Sequence, residues 1–116
     1  ARIVGGSDHD SVLGITSIDG GFVVVGQTKS TSGDFQQYKA GGGYDGYIMY
    51  LTDNGKTSAV TRLNGSEDDS VMAVATLNDG SIAVSGWTKS NDQSFNGSNA
   101  KKQYMGFVSR YTATVK

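Results

Sequence analysis

The sequence predicts an all-β fold made of two copies of a four-stranded antiparallel unit, and three observations support this. The run Gly-Ser-Asp-His-Asp-Ser-Val at residues 6–12 returns as Gly-Ser-Glu-Asp-Asp-Ser-Val at residues 65–71. The 116 residues include 17 glycines and many strand formers, whereas good helix formers are scarce. Asp-Gly pairs separate apolar runs, which is a strong hairpin signal. A period of about 60 residues is typical of repeated β units.

Each copy opens with a predicted hairpin of two strands, A and B. Strand A covers residues 11–18 and 70–77, and strand B covers residues 22–28 and 82–88. The turn between them holds an Asp-Gly pair in both copies, at residues 19–20 and 79–80. The offset between the copies is 59 residues before the second turn and 60 after it, which places the extra residue, Asn78, in that turn.

A long polar segment follows strand B in each copy, at residues 29–43 and 89–103. It is rich in Ser, Gly, Asn and Gln and has no hydrophobic periodicity, so it predicts a loop. Each loop carries one phenylalanine at the same offset, Phe35 and Phe95. The favoured interpretation is that a buried ring anchors each loop, and the alternative is a platform for a ligand.

A third strand, C, is predicted at residues 44–52 and 104–112. In the first copy a turn leads on to a fourth strand, D, at residues 57–63, whereas the second copy shows no matching turn after strand C. The missing strand lies at the other end of the chain, because residues 2–6 align with residues 61–65. The predicted strand order is therefore D-ABC-D-ABC.

This order predicts one β-propeller-like unit that spans the whole chain. Its parts are residues 1–5, a strand D that completes another blade; residues 6–63, the first blade; and residues 64–116, a second blade without its own strand D. Propellers typically contain about four to eight blades around a channel. Since large apolar sheet faces are rarely left in water, we expect the chain to close head to tail with itself as a trimer or tetramer.

The motifs also resemble a known family. Gly-Gly-Ser-x-x-Asp-Ser-Val, Asp-Gly-Gly-Phe-Val-Val-Val-Gly-x-Thr, a Gly-Asp-Phe loop and Gly-Gly-x-Asp-Gly-Tyr-Ile are similar to propeller-type repeats of bacterial cell-surface and secreted proteins. The second copy departs from the pattern at residues 100–103 and at Met105, where the first copy has Asp45. The resemblance implies a fold and an extracellular or cell-surface location in a bacterium, and it implies no reaction.

Composition argues against several classes of partner. The net charge is −1 and the basic residues are scattered, so nucleic acid is not an expected partner. The longest apolar run, residues 22–25, is far too short for membrane insertion. The absence of cysteine excludes disulfides and thiolate metal sites, and no cofactor is expected.

Two acidic clusters precede strand A, at residues 8–10 and 67–69. The shared carboxylates, Asp10 and Asp69, are of the type that accepts hydrogen bonds from nearby amides and fixes a turn. Calcium is the alternative ligand, although the clusters lack the frame of a dedicated calcium loop. No metal site is predicted.

Catalysis is not expected. His9 is the only histidine, and no cysteine or serine nucleophile motif accompanies it, so neither a triad nor a zinc site can be assembled on one chain. A glycoside hydrolase, with carboxylates brought together by oligomerisation, is the alternative. No catalytic residue is predicted.

The candidate ligand-binding residues lie where strand B ends and strand C begins. Trp87 replaces Gln27 at this place, and an indole ring near a rim can stack on a sugar. The set comprises Trp87, Tyr44, Asp45, Tyr104 and Asn96, with the polar members as orienting groups. The alternative is that Trp87 packs between blades.

We therefore expect a non-catalytic surface or secreted binding module, carbohydrate-binding in a lectin-like way or adhesive. Its partners would be itself together with a carbohydrate or a surface protein. The alternative is a purely structural repeat segment of a larger surface protein.

Overall fold

The computed structural model describes residues 2–35, 43–63, 65, 67–90 and 104–112. This part of the chain forms seven strands. They are β1 (Asp10–Ile18), β2 (Gly21–Thr28), β3 (Asp45–Thr52), β4 (Thr57–Leu63), β5 (Asp69–Thr76), β6 (Ile82–Thr88) and β7 (Met105–Tyr111). A single 3-10 turn covers Gly33–Phe35. Each of these strands lies where the sequence predicts one, with bounds that differ by at most one residue.

The strands form two antiparallel sheets, and the prediction of an all-β chain is confirmed. Sheet 1 has the order β1-β2-β3-β4, and sheet 2 has the order β5-β6-β7. Tight hairpins join β1 to β2 and β5 to β6, where Gly20 and Gly80 take φ values of 84° and 86° that suit glycine. Among the described residues, no helix is long and apolar enough to cross a membrane.

Each sheet has a front face and a back face, and the repeat allows matching positions on the faces of the two sheets to be compared. Because paired residues share a face, the front face can be followed across strands in both sheets. It carries Val23, Val25, Ile48 and Tyr50 in sheet 1, and Ala83, Ser85, Val108 and Arg110 at the matching positions of sheet 2. The back face carries Phe22, Val24, Met49 and Leu51 in sheet 1, and Ile82, Val84, Ser109 and Tyr111 in sheet 2.

The two sheets stack with the front face of sheet 1 on the back face of sheet 2. The main apolar cluster joins Val23, Val25 and Ile48 to Ile82 and Val84, all with at most 1% of their surface exposed. Next to it, the Thr16 and Thr76 hydroxyls lie 2.9 Å apart. The sheets therefore face the same way in the stack, as successive members of a repeating series do.

The outward faces of this stack differ. The back face of sheet 1 holds a second cluster around Val24, Tyr47 and Met49, which is capped by the buried ring of Phe35 and by Val4. The front face of sheet 2 is a shallow groove of small side chains, and Val108 on it is 79% exposed.

The N-terminal segment differs from its predicted form. Residues 2–6 belong to no strand in the single chain. Instead, Asp34 anchors the segment, since its amide donates to Gly5 O at 3.1 Å and its carboxylate accepts the Gly5 amide at 2.9 Å. The Arg2 guanidinium pairs with the same carboxylate at 2.8 Å, so side chains rather than a strand ladder hold the segment here. The pairing predicted for it involves another chain and stays a prediction.

Candidate functional site

The candidate site lies at the end of each sheet where the second strand leaves and the third strand returns. The register pairs Thr28 with Asp45 in sheet 1 and Thr88 with Met105 in sheet 2. The residues just beyond these pairs therefore meet at one rim of each sheet, as the sequence predicts.

A lysine and a tyrosine occupy this rim in both repeats. The Lys29 Nζ atom lies 4.6 Å from the centroid of the Tyr44 ring, and the Lys89 Nζ atom lies at the same distance from the Tyr104 ring. An ammonium group at this distance over a tyrosine face is a cation–π contact. The sequence pattern Thr-Lys-Ser after strand B, shared by both copies, is the signal that identifies these lysines, and the prediction of site residues missed them.

Trp87 distinguishes the second rim from the first. Its ring packs edge to face against Tyr104, with centroids 4.9 Å apart and planes at 84°. Tyr104 is 68% exposed and Trp87 is half-buried, so the pair forms an accessible aromatic corner with Lys89 beside it. The first repeat has Gln27 instead of the indole and lacks this corner.

Tyr44 is fixed by the second repeat. Its amide donates to the Asp68 carboxylate at 2.8 Å, and its carbonyl accepts the Asp69 amide, also at 2.8 Å. The acidic segment between the repeats therefore fastens the start of β5 to the start of β3. The candidate Tyr44 belongs to a joint between sheets, with its ring half-buried.

Asp45 does not lie at the rim surface. Its side chain is fully buried and accepts a hydrogen bond from Arg62 Nε at 2.8 Å. Arg62 also donates to the Ser30 carbonyl at 2.6 Å and lies 5.8 Å from the Phe35 ring. The carboxylate that the sequence suggests as an orienting group for a ligand thus holds the interior of sheet 1 together.

The acidic clusters contain turn-fixing carboxylates. Asp10 accepts hydrogen bonds from Thr28 Oγ1 at 2.5 Å, the Gly6 amide at 3.0 Å and Ser30 Oγ at 3.1 Å. In the second copy, Asp69 accepts one from Thr88 Oγ1 at 2.5 Å. These contacts tie the entry of strand A to the end of strand B. Within the described ranges, no cluster of three or more carboxylate, histidine or cysteine ligands is formed.

Burial changes the acidity of one of these groups. Asp69 is fully removed from solvent, and burial raises its pKa to about 6, although hydrogen bonds from Thr88 and Ser90 oppose the shift. A neighbouring carboxylate, Asp45, adds to the rise. The second turn-fixing carboxylate therefore titrates in mildly acidic solution.

The loop phenylalanine of the first copy is an anchor, as the favoured interpretation expects. Phe35 is fully buried and packs on Tyr47 with ring centroids 5.0 Å apart. Phe95 and the candidate Asn96 fall outside the described residues. The structure therefore brings together Trp87, Tyr104 and Lys89 as one group, and Tyr44 and Asp45 serve the framework.

No protein-family model matches this chain, and no curated protein matches it.

Proposed function

We propose that this chain is a non-catalytic, propeller-type binding module that takes a carbohydrate at the rim of its second repeat. The observation that carries the proposal is the exposed aromatic corner of Trp87 and Tyr104 with Lys89 beside it. Aromatic faces attract the C–H groups of a sugar ring, and a few polar groups fix its orientation. Lys89 supplies such a donor, and its charge favours a saccharide that carries a carboxylate or other acidic group.

The two stacked sheets are proposed to be successive blades of a propeller. Support comes from the way in which they stack, front face on back face, because a radial series of blades requires that arrangement. A ring of a few identical chains would present the same aromatic corner several times. Such repetition raises the apparent affinity of a weak single site for a polymeric glycan.

The proposed location is outside the cell or on its surface, in a bacterium. The support for this is the resemblance of the repeat motifs to surface and secreted propeller repeats. A glycan-binding rim suits that location because extended saccharides are displayed there.

A glycan array probed with the folded chain tests this function. Replacement of Trp87 by alanine removes half of the aromatic corner, and we expect affinity for any bound glycan to fall about tenfold, as loss of one aromatic contact does. The matched control is Gln27→Ala, which alters the same position of the first repeat and should leave binding unchanged. Equal binding by wild type and Trp87→Ala would remove the corner from the proposal.

A purely structural repeat segment is the second candidate. It is favoured by the position of Trp87, which lies on the front face of sheet 2, since its partner across the ladder is Gly106. If the assembled protein buries the indole itself, Trp87 packs between blades, whereas the matching Gln27 stays half-buried at its rim although sheet 2 covers the front face of sheet 1. Loss of assembly in Trp87→Ala, with no glycan bound by wild type, would select this function.

A further inference from the structure

We propose that a second copy of this chain completes sheet 2, its residues 2–5 pairing with the open edge of β7 and the back face of its sheet 1 covering the front face of sheet 2. The inference deepens the proposed function, on which it rests, by naming the partner on which the ring depends. Within the described residues, β7 pairs with β6 on one edge, and no strand occupies its other edge. In sheet 1 the matching edge of β3 is occupied by β4.

The direction of stacking selects the type of contact. Inside the chain, the front face of one sheet meets the back face of the next, so the two surfaces are different and the contact is heterologous. The same pair of surfaces faces outward at the two sides of the stack, namely the front face of sheet 2 and the back face of sheet 1, which Val4 and Phe35 cap in the single chain. A second copy can therefore repeat the internal contact, and such contacts close into a ring when the rotation permits.

The path of the chain argues against completion of sheet 2 by residues 2–5 of the same copy. The segment after Leu63 connects the outer strand of sheet 1 to Asp69, the first residue of the sheet stacked on its front face. Residues 4–10 are the matching segment before β1. By this correspondence, the strand that precedes them belongs to a sheet on the back face of sheet 1. Sheet 2 of the same chain lies on the opposite side.

At this edge, both residues of a contacting pair in sheet 1 have aligned residues of a different chemical type. Strand pairing places Arg62 opposite Tyr47 and on the same face as Asp45, with which it forms the buried ion pair. In the second repeat, Met105 occupies the position of Asp45, and the residue aligned with Arg62 is Ile3. An ion pair in sheet 1 thus corresponds to an apolar pair between two copies.

Ile3 and Met105 are suited to pack against each other. Neither is suited to face a charged residue of the ion pair in sheet 1. Ile3 is 82% exposed in the single chain, so its side chain is accessible to a neighbouring chain. A buried carboxylate facing isoleucine would be left without its cation at a large cost, whereas methionine packs readily against it. The residues of this chain therefore supply both sides of the proposed contact.

Gly106 provides an independent indication. In sheet 1, a Cβ added at the matching Gly46 would lie 2.9 Å from Val71 of the stacked sheet, so the close approach of that sheet requires glycine. A Cβ at Gly106 would meet nothing nearer than 3.8 Å among the described residues. Glycine inside a strand lowers stability and often marks the close approach of another backbone. The second copy, whose Val12 matches Val71, supplies that neighbour.

The two outward faces are also complementary in size. At the internal contact, Val23 and Val25 of the front face meet Ile82 and Val84. The outward front face has the smaller Ala83 and Ser85 at these positions, and the outward back face has the larger Phe22, which is 37% exposed, where sheet 2 has Ile82. Small side chains on one surface and a large one on the other keep the total volume similar, which packing requires.

Light scattering on the 116-residue chain tests the assignment through a charge exchange. Wild type should have three or four times the 12.2 kDa mass of one chain. Ile3→Arg places an unpaired charge against Met105, and we expect the mass to fall three- to fourfold. Ile3→Arg combined with Met105→Asp recreates the pair seen in sheet 1 and should restore the wild-type mass. Leu77→Arg, a matched change at an exposed residue outside both apolar clusters, should leave the mass unchanged.

Circular dichroism on each variant separates failure to fold from failure to assemble. The assignment is overturned if folded wild type has the mass of one chain, if Ile3→Arg still assembles, or if folded Ile3→Arg/Met105→Asp stays monomeric. Saccharide binding by the same samples keeps the two proposals distinct. An assembled chain that binds no saccharide rejects the rim function and supports the edge assignment, whereas a monomer that binds one does the reverse.

Discussion

The carboxylate of Asp45 and the guanidinium of Arg62 form an ion pair at 2.8 Å whose side chains are 0% and 3% exposed. The pair links β3 to β4, and the same guanidinium reaches back to the Ser30 carbonyl. A polar interior of this kind is stable only while every charge keeps its partner. The second repeat has Met105 at the position of Asp45, and the residue aligned with Arg62 is Ile3, so neither member of the pair recurs.

Removal of one member of this ion pair should lower the free energy of unfolding. Asp45→Ala leaves Arg62 buried without its carboxylate, and we expect the free energy of unfolding to fall by about 3 kcal/mol. Urea denaturation followed by circular dichroism measures this. The double variant Asp45→Met/Arg62→Ile carries the residues found at these positions in the second repeat and at the N-terminus, and it should recover most of the loss. A double variant less stable than Asp45→Ala would contradict the apolar equivalence of the two sites.

The joint between the sheets should weaken when Asp68 is shortened. Asp68→Ala leaves the Tyr44 amide without its acceptor, which is expected to cost about 1 kcal/mol. Glu67→Ala, a change at the neighbouring carboxylate, is the control, because its side chain does not accept the Tyr44 amide. Thermal unfolding of the two variants gives the comparison, and equal stabilities would show that the joint does not depend on the carboxylate.

Stability should depend on pH through Asp69. Because burial raises the pKa of this group in the folded chain to about 6, from an ordinary value near 3.8, the folded state holds the proton more tightly than the unfolded state. The free energy of unfolding should therefore fall as the pH rises from about 4 through about 6, by about 1 to 2 kcal/mol, and this contribution should stay constant above about pH 7.

Asp69→Asn should abolish this slope, which denaturant titrations between pH 4 and 7 will show. Asp34 has the opposite effect on the free energy of unfolding, and its effect lies at lower pH. The hydrogen bond from Arg2 lowers the pKa of Asp34, so the stabilisation that Asp34 contributes is lost as the pH falls below about 4. A slope that persists in Asp69→Asn would assign the effect to another group.

Gly106 should be dispensable in the single chain and necessary in the assembly. Gly106→Val adds a good strand former where the described residues leave room, so a monomeric sample should be at least as stable as wild type. The same change should reduce the assembled fraction, because the valine would meet the sheet of a second copy. Sedimentation velocity together with thermal unfolding measures both effects, and a stable, fully assembled variant would remove this contact from the account.

The repeat allowed much of the fold to be predicted. The seven strands follow from Asp-Gly turns and apolar runs, signals that are local and physical. The buried contacts inside sheet 1 could not be predicted from the sequence in the same way. Asp45 resembles a rim residue in the sequence, and only the register of β3 and β4 shows that Arg62 reaches it. The contacts of the lysines with Tyr44 and Tyr104 can be recognised only when the positions of the strands are known, because the strands place the lysines beside the rings.

The conformation of the N-terminal segment could not be predicted from pattern alone. Residues 2–6 align with a strand, yet a strand needs a partner edge, and in the single chain Asp34 holds the segment instead. Residues 2–6 are therefore suited to a strand, but without a neighbouring chain they take the conformation that Asp34 holds.

Disulfide trapping between two single variants tests the proposed edge most directly. The pairing of Ile48 with Thr61 in sheet 1 places Val108 of one chain opposite Arg2 of the next. Directly opposed strand residues have Cβ atoms about 4.5 to 5.5 Å apart, close to what a disulfide needs. The chain has no cysteine of its own, so any bond formed is the designed one.

Arg2→Cys chains mixed with Val108→Cys chains should therefore give a covalent dimer on mild oxidation. Arg2→Cys mixed with Leu77→Cys serves as the control. Abundant cross-linked dimer is expected in the first mixture only. No more dimer in that mixture than in the control would contradict completion of sheet 2 by a second copy.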